Sequence, residues 1–269
     1  MLLYPNAKIN IGLHVTARRP DGYHEIQTVF YPIGLHDRLE IERRDNFTGA
    51  ELREEGNLQV DCATADNLIV KAYRLMQEAY GIGGIRVTLS KQIPFGAGLG
   101  GGSSDAAHTA IALNKLFELG LDKEALKQIV SRLGADCAFF IENVPCYAEG
   151  IGEKLTPLTA WGIDLQDKLK DYRIEIVKPD VYVSTAAAYR GITPKQPAVS
   201  LTEALRLPVK EWREVVVNDF EETVFAHYPA IAEAKRKMYE AGAEYASMSG
   251  SGAAVFGLFR REPETGSAG

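Results

Sequence analysis

Apolar and polar residues alternate in short runs along the first third of the chain, a pattern typical of half-buried strands. Residues 8–16 alternate with a period of two, and the turn-forming residues Pro20, Asp21 and Gly22 follow them. A helix is predicted over residues 67–80, where apolar side chains recur at helical spacing before a glycine. Further strands are predicted in this part of the chain over residues 27–33, 37–43 and 85–89.

Helical periodicity dominates much of the remaining chain. Helices are predicted over residues 104–119 and 122–133, and a third helix begins near Asp136. The other predicted segments are a strand with an internal turn over 147–155, a link over 156–170, a strand over 174–177, a short helix around 203–205, a helical stretch from 219 to about 242, a glycine–serine loop with a strand over 246–259, and a fraying polar tail over 260–269. Strands grouped early and helices grouped later indicate the α+β class.

The length, charge and apolar runs of the chain limit the number of domains, the class of ligand and the location of the protein. Its 269 residues suit one large domain or two small ones. The net charge of −6 and the pI of about 5.5 argue against nucleic acid as the main ligand, because phosphate-backbone binders usually carry a basic patch. No apolar run approaches the roughly 18 residues of a membrane span, and the N-terminus lacks the apolar region of a signal peptide. We therefore expect a cytoplasmic protein.

The cysteines and histidines show no spacing typical of a disulfide framework or a metal site. Cys62, Cys137 and Cys146 form no CxxC pair, and we expect them to be reduced thiols. Four histidines lack partners at metal-ligand spacing and are interpreted as structural or solvated, namely His14, His36, His108 and His227. No metal site built from protein side chains is therefore predicted.

Glycine is the one mild compositional excess, and it is concentrated in a short segment. Of 25 glycines, five lie between Gly96 and Gly102, where a predicted strand leads into a predicted helix. Glycine lets backbone N–H groups approach an anion, and a helix N-terminus adds partial positive charge. Ser103 and Ser104 can donate hydroxyl groups to phosphate or to the shell of a metal ion. In physical terms the segment is a phosphate cradle.

Three interpretations of this glycine segment compete. A flexible linker is disfavoured, because linkers rarely lie tightly between a strand and an amphipathic helix. Gly96, Gly98 and Gly101 satisfy the dinucleotide-binding G-x-G-x-x-G pattern, but that fold requires a strand after the helix and a second helix is predicted here. The third interpretation is a nucleoside-triphosphate kinase loop. The Gly-Lys-Ser/Thr of a Walker A motif does not occur, so any lysine must come from elsewhere in the chain.

Residues 94–104, Pro-Phe-Gly-Ala-Gly-Leu-Gly-Gly-Gly-Ser-Ser, resemble the phosphate-binding motif of the GHMP kinase superfamily (galactose, homoserine, mevalonate and phosphomevalonate kinases). Within that superfamily, residues 5–13 and 19–24 are similar to the branch whose acceptor is a cytidine diphosphate-linked methylerythritol. Further matching segments, which extend the resemblance over roughly residues 5–259, are 133–136, 148–153, 218–221 and 247–252.

The resemblance implies a two-domain GHMP kinase fold. The first domain, residues 1–155, would be like domain 2 of ribosomal protein S5 and would carry the ATP loop. The second domain, residues 156–269, would be ferredoxin-like and shortened at its end, because the chain stops soon after Phe259. The active site would lie between the two domains.

The same resemblance implies an activity. Kinases of this branch transfer the γ-phosphoryl group of ATP to the 2-hydroxyl of their substrate in the non-mevalonate isoprenoid route, with ATP and Mg²⁺ as cofactors. A small-molecule substrate, no nucleic acid, no membrane, and a monomer or weak homodimer are expected. The alternatives are a mevalonate or homoserine type of GHMP kinase, which would have no base for Tyr23 and His24 to bind, and a non-catalytic nucleotide-binding protein, which would not need Lys8 and Asp136.

The resemblance also assigns catalytic residues. Asp136 would accept the proton of the attacking hydroxyl, and the ammonium of Lys8 would favour the ionised carboxylate and stabilise the phosphoryl oxygens. Without the resemblance, Asp136 could equally be a helix N-cap and Lys8 a surface lysine at a strand edge. Asp105 departs from the superfamily pattern, which often has asparagine there, and adds a carboxylate beside the phosphate site.

The binding residues are carried over in the same way. Asn67 would lie near the adenine, although it also fits a helix N-cap. Tyr23 and His24 would bind the cytosine, Tyr189 would supply a second stacking ring, and Asn10 would orient the acceptor or Asp136. The other expected substrate-binding residues are Thr185, Gly250 and Ser251. The triphosphate would bind to Pro94, Phe95, Gly96, Ala97, Gly98, Leu99, Gly100, Gly101, Gly102, Ser103 and Ser104.

Overall fold

Three sheets and the helices packed on them organise the computed structural model, which describes residues 1–56, 58 and 62–262. The strands are β1 (Leu2–Leu3), β2 (Asn6–Arg18), β3 (His24–His36), β4 (Arg38–Arg44), β5 (Ala50–Glu55), β6 (Gly84–Ser90), β7 (Cys146–Glu149), β8 (Lys154–Pro157), β9 (Tyr172–Val177), β10 (Tyr245–Met248) and β11 (Val255–Arg260). The α-helices are α1 (Leu68–Tyr80), α2 (Gly101–Leu116), α3 (Lys123–Ser131), α4 (Phe139–Glu142), α5 (Leu165–Leu169), α6 (Thr185–Tyr189), α7 (Leu201–Ala204), α8 (Phe220–His227) and α9 (Pro229–Glu240).

The sheets are mainly antiparallel. The first has the order β1-β4-β6-β5, in which only the β5–β6 pair is parallel. The second has the order β2-β3-β7-β8, and the third, from the C-terminal part of the chain, has the order β10-β11-β9. Helices α1 and α2 pack on each other beside the first two sheets, and α9 packs on β10 and β11. The glycine segment thus leads from β6, an inner strand of the first sheet, into α2.

Local sequence signals explain where several helices begin and end. The Asn67 side chain accepts a hydrogen bond from the N–H of Ile69 at 2.9 Å and caps α1, which ends at Gly81 in the left-handed conformation. Asp122 caps α3 in the same manner by accepting from the N–H of Ala125 at 2.8 Å. Pro229 occupies the first turn of α9, where its missing N–H is not needed.

The secondary-structure predictions hold for most elements and are wrong in identifiable places. Strand β5 is absent from the predictions, because it contains only two apolar residues, Ala50 and Leu52, among four charged ones. The stretch from 219 to 242 is two helices, separated at Tyr228, and the predicted link over 156–170 contains α5. Helix α4 begins at Phe139 with Ala138 as its N-cap, so Asp136 is not an N-cap. Residues 263–269 of the predicted tail lie outside the described residues.

A shared core joins the N-terminal and C-terminal parts of the chain. Ile9 and Ile11 of β2 belong to one buried cluster with Trp212, Tyr245 and Phe256. Trp212 is fully buried and donates its Nε1–H to the carbonyl of Leu207 at 3.0 Å. The predicted domain boundary at residues 155/156 stays a prediction. None of the described helices is both long and apolar enough to cross a membrane.

Candidate active site

The glycine loop, residues 94–102, adopts a backbone conformation that other residues would strain. Gly96, Gly98 and Gly100 have φ values of +61°, +74° and +71°, in the left-handed region. A Cβ on Gly98 would overlap the carbonyl oxygen of Ser249, so the approach of these two backbones also requires glycine. Helix α2 begins at Gly101, and its first N–H groups have no intrahelical partner. The loop therefore presents backbone donors at a helix N-terminus, which is favourable for an anion.

A cavity of about 390 Å³, here called the nucleotide cavity, lies along this loop. Its lining includes Asn67 and every loop residue from Pro94 to Ser103, in line with the sequence predictions for these positions. Ser104 is fully buried, its Oγ lies 3.3 Å from Nδ1 of His108, and it is not part of this lining. Its predicted contact with the triphosphate stays a prediction.

A second cavity of about 350 Å³, the acceptor cavity, lies on the other side of the loop. The two cavities share Gly96, Gly98, Gly100 and Tyr182 in their linings, so they meet at the glycine loop. The structure brings most of the predicted catalytic and substrate-binding residues together in this second lining, namely Lys8, Asn10, Asp136, Thr185, Tyr189, Gly250 and Ser251.

The two predicted catalytic residues form an ion pair at the acceptor cavity. The Nζ atom of Lys8 lies 3.2 Å from Oδ2 of Asp136, and it also donates to Oδ1 of Asn10 at 2.6 Å. The Lys8 side chain is 4% exposed, and its ammonium lies 4.7 Å from the ring centroid of Phe30. The Asp136 side chain is 34% exposed. A buried cation thus holds a carboxylate that still faces the cavity.

Two of the predicted cytosine-binding residues, His24 and Tyr189, lie at the rim of the acceptor cavity, and Tyr189 is part of its lining. The rings of His24 and Tyr189 are stacked, with centroids 4.6 Å apart and planes at 16°. Tyr189 also meets Phe220 edge to face at 4.8 Å, and burial raises the pKa of the Tyr189 phenol. Tyr23, in the turn before β3, is 61% exposed. Tyr23 and His24 do not line the cavity itself.

Sequence reasoning missed a buried cluster of charges beside the nucleotide cavity. The Nζ atom of Lys91 contacts Oδ2 of Asp37 at 2.5 Å and Oδ2 of Asp105 at 2.8 Å. Asp37 also accepts hydrogen bonds from the backbone N–H groups of Gln92 and Ile93, at 2.6 and 2.8 Å. The sequence signal for this cluster is Asp105 itself, which stands where the superfamily often has asparagine. A carboxylate beside a phosphate site requires a compensating cation.

The Asp105 carboxyl is buried in this cluster with incomplete hydrogen bonding. It is 3% exposed, and its Oδ1 atom has no hydrogen-bond partner. Burial raises the pKa of Asp105 to about 7, against the opposing effect of Lys91, and Asp37 raises it further. A carboxyl that is half neutral near pH 7 reduces the negative charge next to the nucleotide cavity.

The remaining cavities and thiols offer less chemistry. A surface depression of about 540 Å³ is larger than either cavity but lies away from the loop, and its Lys235 and Arg236 are paired with glutamates. Burial raises the pKa of the Cys137 thiol to about 11 and that of Cys146 to about 12, so neither is a nucleophile at neutral pH. Within the described residues, no group of three or more His, Cys, Asp or Glu side chains could hold a metal ion.

Two family models match the chain, one over the segment with the glycine loop and one over the C-terminal part. Residues 67–143 match the GHMP kinases N terminal domain, and residues 201–267 match the GHMP kinases C terminal domain. A Methanococcus jannaschii mevalonate kinase shares the fold, with a TM-score of 0.69 at 14% identity over 97% of this chain and 90% of that one. The fold and the glycine loop define a GHMP kinase, and the predicted two-domain α+β fold of that superfamily is confirmed.

Comparison with individual relatives narrows this class. The chain is 47% identical to a 4-diphosphocytidyl-2-C-methyl-D-erythritol kinase of Bacteroides thetaiotaomicron, over 98% of this chain and 95% of the relative. It is 45% identical to that of Porphyromonas gingivalis, over 98% and 94%. A crystal structure of a 4-(cytidine 5'-diphospho)-2C-methyl-D-erythritol kinase superposes with a TM-score of 0.79 at 34% identity, over 96% and 90%. The chain belongs to the 4-diphosphocytidyl-2-C-methyl-D-erythritol kinase family and is a phosphotransferase.

The raised pKa of Asp105 predicts a pH-dependent stability difference for Asp105→Asn. Between about pH 4 and pH 7 the native carboxyl holds a proton that the unfolded chain has released, so this group stabilises the native state less as pH rises. The unfolding free energy of the variant, relative to the wild type, should therefore increase from pH 5 to pH 8. Urea denaturation at both pH values measures it.

An exposed carboxylate provides the matched control for this measurement. Asp45 has a side chain that is 87% exposed, so Asp45→Asn should show no such change with pH. A difference between wild type and Asp105→Asn that stays constant from pH 5 to pH 8 would contradict the assignment of the titration to Asp105.

Proposed function

We propose that this chain transfers the γ-phosphoryl group of ATP to the 2-hydroxyl of 4-diphosphocytidyl-2-C-methyl-D-erythritol, which gives the 2-phosphate and ADP. The observation that carries the proposal is the Lys8–Asp136 pair in the acceptor cavity, 3.2 Å between Nζ and Oδ2, next to the glycine loop that borders both cavities. Donor and acceptor would meet where the two cavities join.

The ion pair supplies the acid–base chemistry of the transfer. As the 2-hydroxyl oxygen attacks the γ-phosphorus, the carboxylate of Asp136 would accept the hydroxyl proton, and the bond to the bridging oxygen of ADP would break. The Lys8 ammonium, 3.2 Å from the Asp136 carboxylate, would hold that carboxylate in place and stabilise negative charge on the phosphoryl oxygens. Asn10 fixes the ammonium by accepting its hydrogen bond at 2.6 Å.

The glycine loop and the start of α2 would hold the nucleotide. Backbone N–H groups at the helix N-terminus suit the phosphates, and Asn67 lies in the same cavity at a position suited to the adenine. Its Oδ1 caps α1, which leaves the side-chain NH₂ group for the base. The N-cap role and the adenine contact are therefore compatible.

Magnesium would arrive with the nucleotide and would not occupy a site of protein ligands alone. Mg²⁺ usually keeps several waters and takes one or two carboxylates together with substrate phosphates. The half-buried Ser103 in the lining of the nucleotide cavity fits that pattern, because its hydroxyl oxygen can join the phosphate oxygens and waters. It would hold the ion, which when bound would neutralise charge on the phosphates.

The aromatic residues at the rim would recognise the cytosine. Tyr189 presents a ring face that His24 covers in this structure. The cytosine would stack on the Tyr189 ring in place of His24. The His24 imidazole would move to the edge of the base, where it can form a hydrogen bond. Tyr23, next to His24 in the chain and 61% exposed, would supply the other stacking ring. Stacking of a base on an aromatic ring contributes about 1–3 kcal/mol, which exceeds the roughly 0.5–1.5 kcal/mol of an aromatic pair.

This aromatic set distinguishes the proposal from the alternatives. Mevalonate and homoserine carry no base, so a kinase for either would have no use for the aromatic residues Tyr23, His24 and Tyr189. A non-catalytic nucleotide-binding protein would not require the ion pair between the buried Lys8 and the partly exposed Asp136. Thr185, Gly250 and Ser251 line the same cavity and would contact the acceptor. The cytoplasmic location and the monomeric or weakly dimeric state stay predictions.

Asp136→Asn tests the proposed function directly. Wild-type protein with ATP, Mg²⁺ and the diphosphocytidyl substrate should form the 2-phosphate, detected by mass spectrometry, and should not phosphorylate mevalonate or homoserine. The amide cannot accept the hydroxyl proton, so kcat should fall by at least about 10²-fold, while calorimetry should show that ATP still binds. Asp167→Asn changes a 66% exposed carboxylate and serves as control. Turnover near the wild-type level in Asp136→Asn would remove Asp136 from its role.

Tyr23→Ala tests the cytosine assignment. Loss of one stacking ring should raise the KM for the cytidylylated substrate by about tenfold, which corresponds to about 1.4 kcal/mol, and should leave the KM for ATP unchanged. Steady-state kinetics with each substrate varied in turn measure both values. Tyr80→Ala, at an exposed tyrosine at the end of α1, should change neither KM. Equal effects of Tyr23→Ala on both substrates would reject the assignment.

A further inference from the structure

Tyr182 occupies a position that no other side chain shares in the part of the chain that the structure describes. Four of the described residues line both the nucleotide cavity and the acceptor cavity, and the other three are Gly96, Gly98 and Gly100. Tyr182 therefore contributes the one side chain that borders both cavities. If the phosphoryl group passes from one cavity to the other over the three glycines, the phenol ring stands beside its path.

The chain around Tyr182 directs its ring into this junction. Residues 178–184 connect β9 to α6, and Val181 and Val183 pack into the buried cluster of the C-terminal part. Tyr182 lies between these two inward-facing valines, and its own side chain is exposed. The Tyr182 ring reaches Gly96, where a Cβ would lie 2.8 Å from Cε2 and 3.1 Å from Cδ2. The ring thus rests on bare glycine backbone.

The ring is nevertheless largely uncovered. Tyr182 is 65% exposed, the highest value among the large hydrophobic side chains that are exposed in the described part of the chain. An apolar ring that is anchored at one edge and open elsewhere can be covered by ligands on both sides. Within the described residues its hydroxyl group forms no hydrogen bond, so the aromatic ring is the feature that this position offers to a ligand.

We propose that Tyr182 is a positioning residue that closes the junction between the two cavities and excludes water from the γ-phosphoryl group. The inference rests on the proposed function. Asp136 can accept a proton from water as readily as from an alcohol, so the ion pair alone does not discriminate between the two nucleophiles. If water attacks the γ-phosphorus, the bond to ADP breaks, and the products are ADP, inorganic phosphate and a proton. A ring over the junction reduces access for that water.

The coupling between ADP formation and acceptor phosphorylation tests this proposal. ADP and phosphorylated product are measured in the same reaction for wild type, Tyr182→Ala and Tyr182→Phe, and ATP hydrolysis is measured separately without acceptor. Wild type should form the two products in a ratio near one. Tyr182→Ala should hydrolyse ATP about tenfold faster without acceptor, equivalent to about 1.4 kcal/mol, and should form more ADP than phosphorylated product. Tyr182→Phe keeps the ring and should match the wild type.

Two controls make each outcome decisive. Tyr4, 53% exposed and in edge contact with His36, borders neither cavity, so Tyr4→Ala should leave the coupling unchanged. Thermal unfolding should show that all variants are folded. A Tyr182→Ala variant with full coupling and only a raised KM for ATP would overturn the proposal, as would uncoupling in Tyr182→Phe. If the wild-type protein forms no phosphorylated product, the proposed function is rejected. The rate of ATP hydrolysis without acceptor, compared between wild type and Tyr182→Ala, would still test the role of Tyr182.

Discussion

The arrangement of the site depends on one close backbone approach, between Gly98 of the glycine loop and Ser249 of the C-terminal part. No residue with a Cβ fits at Gly98, both because its φ is +74° and because the Ser249 carbonyl occupies the space. The contact is fixed by hydrogen bonds, from Ser249 Oγ to the carbonyl of Gly98 at 2.9 Å and from the N–H of Ala254 to the carbonyl of Ala97 at 3.1 Å. The N-terminal and C-terminal parts of the chain are therefore joined at the loop that would bind the phosphates.

The same serine connects the loop to the ion pair. Its Oγ accepts a hydrogen bond from the N–H of Asn10 at 3.2 Å, and the Asn10 amide accepts from Lys8 Nζ and donates to Thr28 Oγ1 at 3.0 Å. All four residues are buried, where hydrogen bonds gain strength because water does not compete. The position of the Lys8 ammonium, and through it that of Asp136, is thus set relative to the loop by a continuous chain of contacts.

The parts of this architecture that leave a local pattern could be predicted from the sequence, and the parts created by packing could not. Alternation predicts β2, and the glycine segment predicts a phosphate cradle before α2 because both depend on neighbouring residues alone. Strand β5 lies at a sheet edge and has four charged residues among six, so its apolar pattern is too short to predict a strand. Tyr182 borders two cavities whose linings come from residues distant in sequence. The residues next to Tyr182 in the chain therefore give no indication of this location. Lys8 and Asp136 were found through the resemblance, since 128 residues separate them.

The negative net charge of the chain does not conflict with a site suited to phosphates. Charges on the surface are screened over about 8–10 Å at physiological ionic strength, so a buried cavity responds mainly to its own walls. Here the positive contributions are the buried Lys8 and Lys91 and the N-terminus of α2. Asp37 and Asp105 oppose them, but the raised pKa of Asp105, about 7, leaves the cluster around Lys91 with less negative charge than two full carboxylates would give. An extended polyanion such as nucleic acid would need a basic surface, whereas a triphosphate needs only a few oriented donors. The negative net charge therefore disfavours nucleic acid as a ligand but does not disfavour a nucleoside triphosphate.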